Sequence, residues 1–135
     1  MFEIRLIMNT ELITVKPETP IYQAIELMVE NNLTALPVIT EDMTLIGIIS
    51  EKDILDLLID ISHTPKTVDH YMTTDVTSFD VDEDIIAVCE CLVDQPFRRV
   101  PILEDSKLVG IISRKDLIKY ILEPIDTSNN QQPPE

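Results

Sequence analysis

Apolar and polar positions along this chain follow two rhythms, and each rhythm occurs twice. Apolar residues stand at Ile21, Ala24, Ile25, Met28 and Val29, the spacing of one stripe on a helix. Ile85, Val88, Cys89, Leu92 and Val93 repeat that stripe. Thr19 is a candidate N-cap before the first of these helices, with Pro20 at its first position. Asn31-Asn32 and Gln95-Pro96 are expected to end the two helices. Elsewhere the apolar residues run on without a break and are rich in β-branched types. LPVIT (36–40) and VPILE (100–104) predict strands whose proline places them at an edge. Polar turns at Glu41–Thr44 and Asp105–Lys107 lead into LIGIIS (45–50) and LVGIIS (108–113), which predict buried strands. Short runs at Leu12–Val15 and Val76–Phe79 predict a first strand in each set, and helices are expected from Glu51 to about Ile61 and from Arg114 to about Leu122. The order is β-α-β-β-α, twice, a mixed α/β (α+β) class.

The second set is a copy of the first. A shift of 64 residues places Met8 on Met72, Ile21 on Ile85, Glu26 on Glu90, Val29 on Val93 and Pro37 on Pro101. One extra residue between Ile39 and Leu45 changes the shift to 63, and LIGIISEKDIL then meets LVGIISRKDLI with seven of eleven positions identical. The division expected is repeat 1 over 1–62, a connector over 63–71, repeat 2 over 72–123 and a disordered, Pro-rich tail over 124–135. A unit of about 64 residues would bury only about 60% of its unfolded surface. Two copies sharing one apolar interface about a pseudo-twofold axis resolve that shortage.

Composition narrows the function. Apolar residues make up 44% of the 135, enough for a core. No apolar run approaches the roughly 18 residues of a membrane span, and the N-terminal stretch lacks a signal-peptide pattern, so a cytoplasmic protein is expected. The net charge of −15 argues against nucleic-acid and anionic-membrane partners. Six of the ten basic residues nevertheless lie between 98 and 119, a local welcome for an anion. Cys89 and Cys91 point their thiols about 200° apart on a helix, which suits neither a disulfide nor a shared metal. His63 and His70 have no companions at ligand spacing. No metal site is therefore expected. No phosphate-cradling G-x-x-x-x-G-K-S/T loop and no nucleophile beside a base is present, so no catalytic residues are assigned and an enzyme is not expected.

Ser50 and Asp53, like Ser113 and Asp116, have the spacing of a capping box at the start of a helix. The same geometry sets a carboxylate and a hydroxyl beside free backbone N–H groups, where a pair of vicinal hydroxyls could be held. Gly47 and Gly110, the only glycines, open these segments and allow a close approach there.

The doubled, collinear pattern of a first strand with Thr or Ser, a Pro-containing strand, then Gly-h-h-Ser-x-x-Asp-h (h aliphatic) resembles the CBS (cystathionine β-synthase) domain, and two in tandem resemble a Bateman module. The likeness covers about residues 1–122. It implies two clefts between the repeats that bind AMP, ADP, ATP or S-adenosylmethionine, with no cofactor required. Carried onto this chain, one cleft would use Ser50 and Asp53 for ribose with Ser78 and Phe79 beside the base. The other would use Ser113 and Asp116 with Thr14 and Val15. Leu36, Pro37, Val38, Val100, Pro101 and Ile102 would be apolar walls. The basic pair Arg98-Arg99 precedes Val100-Pro101, where the first copy has Thr34-Ala35. The phosphate end is therefore expected on Arg99, helped by Arg98 or Arg114. The family often has Ser or Thr where Lys52 and Lys115 stand here. The resemblance further implies a homodimer and a regulatory output to a separate enzyme or transporter. The alternative is a nucleotide-free oligomerisation or protein-interaction module in which both Ser–Asp pairs only cap helices.

Overall fold

A computed structural model describes residues 3–59 and 66–131, with side chains to residue 122. Two compact units divide the chain, and each gathers segments distant in sequence. Unit 1 comprises Met1–Glu11, Ser78–Glu104 and Val109–Glu135, and unit 2 comprises Leu12–Thr77 and Asp105–Leu108.

In unit 2, helix α2 (Ile21–Glu30) packs on a two-stranded antiparallel sheet of β1 (Ala35–Ile39) and β2 (Leu45–Ser50), followed by α3 (Glu51–Ile59). In unit 1, helix α1 (Ile4–Ile7) joins β3 (Phe79–Asp80), α4 (Ile85–Asp94), β4 (Arg99–Glu104), β5 (Lys107–Ser113) and α5 (Arg114–Gln131). The strand order of its sheet is β3-β4-β5, with β3 and β4 parallel. The predicted first strands shrink to Phe79–Asp80 in one repeat and to a single parallel bridge, Val15 to Val38, in the other. Helix α5 runs past the Leu122 boundary to Gln131. The ends of the segments predicted over 51–61 and 124–135 fall in part outside the described residues.

The Pro-bearing strands are not at an edge. β4 is the middle strand of its sheet, and β1 lies between β2 and the bridge at Val15. Val15 donates to Pro37 O, and Ile39 donates to Val15 O. The imide of Pro37 therefore faces the short first strand, one residue before its pairing begins, and no ladder bond is lost.

Only part of each predicted helix stripe enters a core. Ile21, Ala24 and Met28 are buried in unit 2, as are Ile85, Val88 and Leu92 in unit 1. Val29 and Val93, the last members, are 75% and 80% exposed. Cys89, expected on the buried stripe, is only half-buried, and it is Cys91 that packs against the unit 1 core. Burial raises both thiol pKa values, and acidic neighbours add to this, so neither is a ready thiolate. Thr19 does not cap α2: its hydroxyl accepts from Lys16 N–H at 2.9 Å and Pro20 takes the N-cap position. Asn32 (φ 55°) ends α2, with Leu33 N–H bonded to Met28 O, the left-handed close of a helix.

The segments that lead into the two repeats' first helices are traded. Ile4, at the start of repeat 1, is buried in the unit 1 core beside Val81, Val100 and Ile112. Val68, its counterpart ahead of repeat 2, is buried in the unit 2 core with Ile21, Leu36 and Ile49.

The two turns differ by the extra residue found in the alignment. Asp105-Ser106 has positive φ at both positions (54° and 69°), the two-residue turn suited to a hairpin. In the longer turn, Asp42 receives bonds from the Thr40 and Thr44 hydroxyls and from Lys107 Nζ at 3.0 Å. The Thr40 bond first, then Lys107 and Thr44, hold its carboxyl far below the ordinary value of 3.8. A depressed carboxyl adds stability above its unfolded pKa and loses it as pH falls through the folded value. Asp42→Asn should thus be less stable than wild type at pH 7, and the gap should narrow progressively as pH falls below about 3.8. Urea unfolding of both proteins across that range checks this, and a gap independent of pH would contradict it.

Candidate functional site

The repeated Ser–Asp pairs stand where β2 meets α3 and where β5 meets α5. In both units the first N–H of the helix reaches back to the residue ahead of the Pro-bearing strand. Glu51 N–H bonds to Thr34 O at 3.0 Å, and Arg114 N–H to Arg98 O at 2.9 Å. This contact sets the start of each helix against the start of β1 or β4. In unit 2, Ala35 is paired with Ser50. In the internal repeat Arg99 is the counterpart of Ala35, and Ser113 that of Ser50.

The capping box forms twice. Asp53 Oδ2 accepts from Ser50 N–H at 2.9 Å, and Asp116 Oδ2 accepts from Ser113 N–H at 2.9 Å. In return Ser113 Oγ accepts from Asp116 N–H at 3.1 Å, and Ser50 Oγ more weakly from Asp53 N–H at 3.4 Å. Asp53 takes two further bonds, from the Ser50 hydroxyl at 2.9 Å and from the Thr73 hydroxyl to Oδ1 at 3.1 Å. Asp116 Oδ1 has no recorded partner among the described residues.

The basic residues diverge. Arg114, expected to help with phosphate, is spent elsewhere: its Nε donates to Leu92 O at 3.0 Å and its NH2 group to Gln95 O at 2.9 Å, closing the C-terminal end of α4. Arg99 has a buried Nε with no hydrogen-bond partner, a costly state for a charged group. Arg98, Lys52 and Lys115 are exposed.

The expected apolar walls are mostly core. Leu36 and Val38 lie in the unit 2 core, Val100 and Ile102 in the unit 1 core, and all four are at most 1% exposed. Pro37 and Pro101, one position out of phase, face the other side of their strands and are also buried. Val15 is buried in unit 2, Phe79 packs at the margin of the unit 1 core, and Thr14 and Ser78 are half-buried. Sequence reasoning missed Thr73 because its partner lies 20 residues away, and it missed the capping job of Arg114 because a carbonyl partner leaves no mark in composition.

The glycines also have a cause other than a ligand. A Cβ on Gly47 would stand 2.8 Å from Met72 Sδ and 3.0 Å from Thr73 O. One on Gly110 would stand 2.7 Å from Met8 Cγ and 2.9 Å from Met8 Cβ. What approaches closely is the start of the opposite repeat: Met72 and Thr73 at Gly47, Met8 at Gly110. Among the described residues, no group of three or more His, Cys, Asp or Glu could hold a metal, and no helix is long and apolar enough to cross a membrane.

Comparison with known proteins agrees with this geometry. The family model of the CBS domain matches residues 3–60 and 68–123. A Methanocaldococcus jannaschii protein, MJ1225, is 33% identical over 118 residues, 87% of this chain. The chain spans 42% of that relative's length. A protein of Acidianus ambivalens is likewise 33% identical over 87% of this chain and 71% of its own. Among solved structures, CBSX2 in complex with AMP, a protein of Arabidopsis thaliana, superposes with a TM-score of 0.83 at 29% identity, covering 93% of this chain and 99% of that one. The CBS domain pair of the protein MJ0100, in complex with 5'-methylthioadenosine and S-adenosyl-L-methionine, gives 0.75 at 26% identity over 89% of this chain and 99% of that one. The chain belongs to the CBS domain family and carries two copies of the domain in tandem.

Proposed function

We propose that this protein is a regulatory sensor of adenosine-containing ligands, drawn from AMP, ADP, ATP and S-adenosylmethionine, with no catalytic step of its own. The observation that carries this reading is that unit 1 holds both a carboxylate oxygen without a partner, on Asp116, and a buried guanidinium nitrogen without one, on Arg99. A chain with 25 acidic residues offers many partners for an arginine, so an unpartnered one at the start of β4 is a site kept for an anion. Asp116 and Ser113 take ribose hydroxyls, and Arg99 with Arg98 takes phosphate. The adenosine ligands bound by related CBS pairs support the ligand class.

The signal passes in the cytoplasm to a separate enzyme or transporter, by differential affinity of the ligand for two arrangements of the protein. The apolar residues left exposed on α3 and α5, Leu55, Leu58, Ile59, Ile118, Ile121 and Leu122, suit a homodimer. Thermal unfolding with AMP, ATP and S-adenosylmethionine tests the reading. A true ligand at about 100 times its dissociation constant should add about 2.7 kcal/mol. No shift with any of the three at millimolar concentration would favour the nucleotide-free oligomerisation module, for which the completed capping boxes speak.

A further inference from the structure

The two Ser–Asp pairs are close copies in sequence, yet their hydrogen bonding differs. Around Asp53 two hydroxyls donate to one carboxylate: Ser50 Oγ to Oδ2 at 2.9 Å, and Thr73 Oγ1 to Oδ1 at 3.1 Å with a longer approach to Oδ2 at 3.5 Å. Two hydroxyls on one carboxylate are what a ribose diol would itself supply. Around Asp116 neither bond is made. The residue matching Thr73 is Asn9, whose Oδ1 accepts from Glu11 N–H at 3.0 Å instead. The backbone is the same in both places: Asn9 and Ile111 exchange bonds at 2.8 and 3.0 Å, and Thr73 and Ile48 exchange theirs at 2.8 Å each. The one residue exchanged at this point is therefore Thr73 for Asn9, on the same backbone pairing.

We infer that Thr73 acts as an internal stand-in for a ligand hydroxyl and closes the Asp53 position, so that each chain holds one adenosine ligand, on Asp116. This rests on the adenosine-ligand reading above. A ligand diol arriving at Asp53 would compete with two hydroxyls already bonded there, whereas at Asp116 it meets an oxygen with no partner. The basic residues point the same way. Arg99 belongs to the unit that carries Asp116, and the matching position in the other repeat is Ala35.

Calorimetric titration of the full chain with AMP, ATP and S-adenosylmethionine tests this through stoichiometry. Wild type should take up about one ligand per chain, and Asp116→Asn should weaken binding more than about tenfold. Thr73→Val keeps the branched shape and the backbone pairing but removes the hydroxyl. It should raise the stoichiometry to about two, and Thr73→Val combined with Asp116→Asn should recover about one site. A merely structural role for Thr73 would produce neither change. Wild type binding about two ligands per chain would overturn the inference and leave the functional reading standing. So would Thr73→Val that folds, by its unfolding temperature, and gains no site. Absence of binding by wild type with all three ligands would overturn the functional reading, and the inference with it.

Discussion

Arg99→Met should weaken AMP and ATP by about ten- to hundredfold while leaving adenosine within about twofold. A charge-assisted bond to an ionised partner contributes about 1.5–3 kcal/mol, and only the phosphorylated ligands can make it. Methionine keeps an apolar stem of similar length, so the packing around β4 is retained. The substitution also removes a buried donor that has no partner in the free protein. Free Arg99→Met should therefore be at least as stable as wild type, an outcome that a structural ion pair would not give. Titration with adenosine, AMP and ATP, alongside urea unfolding, separates the cases. Equal losses for adenosine and AMP would remove the phosphate role from Arg99.

Gly110→Ala should cost about 1–3 kcal/mol, and Gly47→Ala distinctly less. The added methyl on residue 110 meets Met8 at Cγ and at Cβ, and a Cβ cannot swing aside without moving the backbone. That backbone is tied to β5 by the Asn9–Ile111 pair. At residue 47 the nearest atom is Met72 Sδ, the flexible part of a long side chain, although Thr73 O at 3.0 Å still resists. The check is a double-mutant cycle of Gly110→Ala with Met8→Ala by urea unfolding. The two changes should couple, because shortening Met8 removes the Cγ collision. Strict additivity would place the strain elsewhere.

The duplication, the β-α-β-β-α order and the Ser–Asp boxes could all be read in the chain, because they are local and each copy vouches for the other. Periodicity also found the helix stripes, but it could not say that Val29 and Val93 turn outward. A stripe five positions wide is compatible with one face buried and a second left free, and only packing decides. Helix caps showed the same limit: Thr19 had the right chemistry at the right place, yet its hydroxyl found Lys16 first. Within the site, the acceptors were legible and their state was not. Whether a carboxylate is open or filled depends on a residue 20 positions away, and the fate of Arg114 depended on where a helix end came to lie. The prolines marked strands correctly but misled about the edge, because the missing N–H can face a partner strand too short to need it.

Ile4 and Ile112 share one core, and Val68 completes the other. Such long separations raise the contact order, and the chain entropy of closing so large a loop must be met before the contact helps. On a ribosome, the segment around Ile4 emerges early and waits, without its native neighbours, until β5 has been made. Val68 follows α2 and β1 much more closely, so the unit 2 core can form first. The traded segments thus give two nearly identical repeats different folding schedules, with the half bearing Asp116 and Arg99 assembled last.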